Sequence, residues 1–125
     1  MADLGGLFDW IDKQIQQRRR QKRVRRALAF PMLDARIVHA TPALTKELRF
    51  EIQLSYRFEV SDEAVYGSAF SVPVDSENYA NMLAHQIPHD AIVKIRYNPT
   101  DSFENFALAH DNPPDLKGLP FQLAE

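Results

Sequence analysis

Leu48-Arg49-Phe50-Glu51-Ile52-Gln53-Leu54-Ser55-Tyr56-Arg57-Phe58-Glu59-Val60 alternates apolar and polar residues without a miss. A period of two over this length puts one set of side chains on a buried face and the other on a wet face, which predicts a β-strand. Sheets with one face in water are as a rule antiparallel, so its neighbours are sought as hairpin partners. Residues 35–40 read as a shorter strand ended by Thr41-Pro42, and Ser61-Asp62-Glu63 as a hairpin turn into a strand over residues 65–70. Pro73 breaks that strand. Asp75 or Ser76 then caps a short helix that ends near Gln86, with Tyr79, Met82 and Leu83 facing inward and Pro88 stopping it. Residues 91–97 form another alternating strand, residues 98–102 a turn and residues 106–108 a last short strand. From Asn112 onward the chain has Pro113, Pro114 and Pro120 and no period, which predicts an extended, mobile tail.

Before the strands lies a different pattern. Leu4, Leu7, Phe8, Ile11 and Ile15 fall within about 100° of one another on a helical wheel, an amphipathic stripe. Asp3 is a candidate N-cap, Gly5 and Gly6 weaken the first turn, and Pro31 closes the element. On an unbroken helix Arg18, Lys22, Arg25 and Arg26 prolong the same stripe, so it turns from apolar to cationic along its length. Trp10 lies off the stripe by more than a quarter turn; it can serve as an interfacial anchor, but the commoner reading of such a position is a packing residue. The expected organisation is therefore a helix over residues 1–29, a β-rich domain over 30–110 and a Pro-containing tail over 111–125. The fold class is α+β, with about five antiparallel strands, one short helix and the amphipathic basic helix outside the core.

A chain of 125 residues suits one core. The absence of Cys excludes disulfides, thiolate nucleophiles and Cys-ligated metals, and fits a reducing cytoplasm. No apolar run is long enough to span a bilayer, and the start of the chain lacks the features of a secretory signal. The formal charge of −2 divides unevenly. Residues 1–26 carry eight Lys/Arg against three Asp/Glu, a net +5, while residues 27–125 carry seven against fourteen, a net −7. A basic arm on an acidic body suits different partners for the two parts, or each other.

Tyr56-Arg57-Phe58-Glu59-Val60, the Tyr66-Gly67 step, Ile87-Pro88 and Val93-Lys94-Ile95-Arg96-Tyr97-Asn98-Pro99 together resemble an uncharacterised family, domain of unknown function 3592. The resemblance covers about residues 30–108. Asp62 and Asp90 stand where that family usually has turn glycines, Val65 replaces an aromatic and Ser102 a second proline. Members are commonly tied to transmembrane helices, and here the Arg-rich amphipathic segment occupies that place. The resemblance implies a fold and proximity to a membrane, and no catalytic residues.

The basic run Arg18-Arg19-Arg20-Gln21-Lys22-Arg23-Val24-Arg25-Arg26 admits three readings. It can anchor on an anionic membrane surface, where each cation contributes about 1 kcal/mol. It can bind nucleic acid, a reading weakened by the lack of interleaved aromatics and by the acidic body. It can be a solvated face whose arginines pair with the body or a second copy. His85 and His89 have the spacing of a helical metal pair, but Pro88 intervenes and no metal is expected. Asp62/Glu63 and Asp75/Glu77 are explained by turns and caps, His39 and His110 are lone polar groups, and no phosphate-cradling glycine loop or nucleophile elbow occurs. Arg49, Arg57, Lys94 and Arg96 face water, where cross-strand ion pairs with acids such as Glu51 and Glu59 account for them.

The expectation is a non-enzymatic interaction module without cofactors. It docks on the inner membrane surface, or on a protein partner there, through Leu4, Leu7, Phe8, Ile11, Ile15, Arg18, Arg19, Arg20, Lys22, Arg23, Arg25 and Arg26. The alternative is a small soluble inhibitor or immunity-type protein whose acidic body masks a basic partner. A homodimer through an exposed edge strand at 91–97 is a further expectation.

Overall fold

The computed structural model describes residues 4–88 and 90–124, with residues 4 and 5 described by their backbone alone. A long helix, α1 (Leu4–Leu28), leads into β1 (Met32–Leu44), β2 (Phe50–Val60) and β3 (Glu63–Phe70). A short helix, α2 (Glu77–Gln86), β4 (Ile92–Asn98) and β5 (Asp101–Phe106) follow. A single 3-10 turn (Ala109–Asp111) and a minimal hairpin of β6 (Asp115–Leu116) and β7 (Leu119–Pro120) complete the chain. The five long strands form one sheet in the order β3-β2-β1-β4-β5, antiparallel throughout.

The alternation in β2 does what its period requires. Ile52, Leu54, Tyr56 and Phe58 are buried, joined by Ala35 and Ile37 of β1, Val65 and Ala69 of β3, and Val93 and Ile95 of β4. The opposite face carries the charges. There Lys94 pairs across the strands with Asp34, and Arg57 pairs along its own strand with Glu59. The sheet is rolled, so that β3 and β5 touch although they are its two ends.

Several expectations are corrected. Leu48 is not in β2: it sits in the β1–β2 turn at φ 61°, 76% exposed. Its apolarity continues the alternation by coincidence, and a Cβ in the left-handed region costs about 1–2 kcal/mol. Leu48→Gly is accordingly expected to raise stability by about 0.5–1 kcal/mol, read as a higher urea midpoint at unchanged slope. The β2–β3 hairpin turns on Ser61 and Asp62, both at positive φ, the geometry of a type I′ turn. On α2, Ser76 is the N-cap, but the packed residues are Ala80 and Leu83, whereas Tyr79 and Met82 are exposed. Small alanines let the helix lie close to the sheet. β1 continues through Pro42 as far as Leu44, and β5 begins at Asp101, ahead of the expected strand. The strand at 91–97 is no edge, since β4 lies between β1 and β5.

The expected mobile tail is part of the core. Phe121 and Leu123 are buried in the main cluster. Val72 donates to the Gln122 carbonyl and Ala124 to the Phe70 carbonyl, so residues 122–124 run beside the continuation of β3. The domain therefore extends through the described C-terminal residues.

Candidate docking surface on the N-terminal helix

The root of α1 is fixed by one arginine. Arg96 on β4 donates through Nη1 to the carbonyls of Leu28 (3.1 Å) and Phe30 (3.2 Å), satisfying acceptors that the end of a helix leaves open. Its Nε and Nη2 reach Asp111 at 2.7 and 3.0 Å, a fork on a carboxylate whose side chain is 3% exposed. Hydrogen bonding to Arg96 holds the Asp111 carboxyl below its ordinary value of 3.8. Around this pair Phe30 stacks on Phe106, Arg26 lies over the Phe30 ring, and Arg26 bridges to Glu104 at 2.8 Å. Ala27 is wholly buried at this junction. Sequence reading places Arg96 on the wet face; it is on that face, but the end of α1 and the turn at 108–112 cover it. Asp111, fifteen residues further on in an irregular stretch, gave no signal.

Beyond its root the helix carries little contact with the body. Leu7, Phe8, Ile11 and Ile15 are all exposed, Phe8 by 62%. Trp10, expected to pack, is 60% exposed, more than a quarter turn round the helix from the middle of the stripe. At about 100° per residue, the residues turned toward the body, Val24 and Ala27, lie roughly 150° round the helix from the middle of the stripe. The middle of the apolar stripe thus lies opposite Ala27, while Arg26, at the stripe's edge, reaches back to Glu104 of β5. Arg18, Arg19, Arg20, Lys22, Arg23 and Arg25 are exposed, and none has a side-chain hydrogen bond or ion pair among the described residues. Arg26, named in the same set, is held by Glu104. The backbone of Leu4 continues the helix, while its side chain lies outside the described residues.

Five exposed apolar side chains, Trp10 included, occupy the first half of a helix about 37 Å long, and seven cations, six of them unpaired among the described residues, occupy its second half. Among the described residues no three His, Asp or Glu converge as metal ligands, and His89 lies outside them. No helix among the described residues is long and apolar enough to cross a membrane. No family model, curated protein or solved structure matches the chain.

Proposed function

We propose that the protein is a non-enzymatic interaction module that docks on an anionic membrane surface, the cytoplasmic leaflet, through α1. The observation that carries this reading is that the stripe of Leu7, Phe8, Ile11 and Ile15 is exposed and turned away from a β body that is packed without it. An apolar face bordered by arginine suits the plane of a bilayer, where the face sinks toward the acyl chains and the cations meet phosphates. Because apolar and cationic halves follow each other along one stripe, the N-terminal half lies deeper and Arg18, Lys22 and Arg25 sit at headgroup level.

A second copy fits the stripe less well. Parallel pairing sets Arg18 against Arg18, and full antiparallel overlap sets residues 7–15 of each helix against residues 17–25 of the other. The acidic body also answers part of its own charge, since Asp34, Glu59, Asp75, Glu104 and Asp111 each hold a cation of this chain. That favours the helix over the body as the docking element.

Cosedimentation with phosphatidylserine-containing vesicles at low salt tests the reading. The full chain is expected to pellet with them and to be released by salt. Changing Arg18 and Lys22 together to Gln is expected to weaken binding by about 2 kcal/mol, roughly thirtyfold. Equal sedimentation of the full chain and an Ile11→Asp/Ile15→Asp variant would count against a role for the stripe.

A further inference from the structure

β1 is longer than its partner on one side. β4 pairs with it from Met32 to Arg36, and the Ile37 N–H still reaches the Ala91 carbonyl at 2.9 Å. Beyond that point β1 pairs with β2 alone, as far as Leu44. The direction of its main chain there follows from β2. Ile52 donates its N–H to Ser71 Oγ and accepts at its carbonyl from Ser71, and Phe50 exchanges both its bonds with Val74. Ile52 and Phe50 therefore turn their main chains away from β1. Their opposites, Pro42 and Leu44, and Ala40 two residues earlier, must turn theirs toward the open side. This explains why Pro42 is tolerated within a strand, since its missing N–H falls on that side. Among the described residues nothing pairs with the N–H and C=O of Ala40, the C=O of Pro42 or the N–H and C=O of Leu44.

The open side is a groove. It holds about 400 Å³ between residues 37–42 of β1 and the end of α2, where Ala84, His85 and Ile87 form the facing wall, and the open edge continues past it to Leu44. That volume is within the range of ligand sites. No Lys, Arg, Asp or Glu lines it.

We infer that this vacant half-slot is a docking site for an extended, uncharged peptide segment of a partner protein, which adds to the sheet end to end with β4. What fills it is specified by its own chemistry. Donors and acceptors repeat at every second residue, a spacing that another extended backbone matches along its length, and the wall of Ala84 and Ile87 receives alternate small or apolar side chains. A second copy of the same edge is a poor occupant: a two-fold pairing centred on Pro42 brings two prolines together and loses both central N–H donors. This site is independent of α1 and stands whether or not the helix meets a membrane.

The test is to select peptides from a display library of short unbiased sequences on the full chain, then follow amide exchange residue by residue with the strongest binder. The expected result is that the Ala40 and Leu44 amides exchange freely in the protein alone and slow on peptide addition. Leu44→Pro removes an N–H from the open side without touching the β2 ladder. It should weaken the selected peptide by about three- to tenfold, the effect of one hydrogen bond. Thr41→Pro, which removes an N–H facing β2, serves as the contrast, because it lowers stability instead. Recovery of no binder, or a binder that leaves both amides unchanged, would overturn the inference. Protection of those amides that rises with protein concentration and no peptide would also overturn it, in favour of self-pairing.

Discussion

Arg96→Met is expected to destabilise the domain by about 3–5 kcal/mol, the range for breaking a covered ion pair by removing one partner. The Asp111 side chain is almost fully buried, and without the guanidinium fork its carboxylate keeps the desolvation and loses the compensation. The same change frees the carbonyls of Leu28 and Phe30, so the root of α1 loosens with the core. The pH dependence provides an independent signature. A carboxyl held below its ordinary 3.8 by Arg96 contributes stability that is complete above that value and is lost as pH falls toward the folded-state pKa. In wild type the unfolding free energy should therefore drop as pH is lowered through about 4 and below. In the Arg96 variant that part of the acid slope should be missing. Urea unfolding at pH 7 and across the acid range measures both.

Gly67→Ala is expected to cost about 3 kcal/mol, at the upper end for overpacking. Gly67 lies on β3 where the rolled sheet brings that strand onto β5. A Cβ there would stand 2.5 and 2.6 Å from two carbons of the Tyr56 ring, and against Asn105 Oδ1. The ring cannot retreat, because Tyr56 is buried at the centre of β2 and its hydroxyl donates to Asn105 Oδ1. Asn105 is in turn fixed by donating to the carbonyls of Ser102 and Phe103. Burial pushes the Tyr56 phenol above its ordinary 10.0, so this hydroxyl remains a donor at any pH at which the protein is handled. Combined with Asn105→Ala, the cost of Gly67→Ala should fall, since one of the two obstructions is gone; a cycle of thermal unfolding measurements gives the coupling.

How much of this was legible beforehand depends on the range of the interaction that fixes each residue. Strand β2 is decided by its own alternation, and the hairpin at Ser61-Asp62 by the turn residues beside it, so both could be read directly. Leu48 could not, because an apolar turn residue continues the same alternation and only the backbone angle distinguishes it. On α2 the sequence points correctly to Leu83 but not to Ala80, because an alanine signals close packing only when the opposing surface is known, and Tyr79 and Met82 face out. The C-terminal segment was missed for a similar reason: Phe121 and Leu123 alternate over three residues, too few to outweigh the prolines around them, and their cover comes from residues 70–72. The apolar stripe of α1 shows the limit most sharply. Helical periodicity identifies Leu7, Phe8, Ile11 and Ile15 as one face whether that face is buried or bare; the geometry at Val24 and Ala27 is what turns it outward. Arg96 and Asp111 meet only through the folded sheet.

Trp10 is the sole tryptophan and is exposed on the same turns of α1 as Leu7 and Ile11, so its own emission reports on the central claim without a label. Titration of the full chain with phosphatidylserine-containing vesicles at low salt should shift that emission to the blue and strengthen it, with a much smaller change on vesicles of phosphatidylcholine alone. Emission that stays at its aqueous position through saturating anionic lipid would contradict the proposal that the bare face of α1 seats on a membrane.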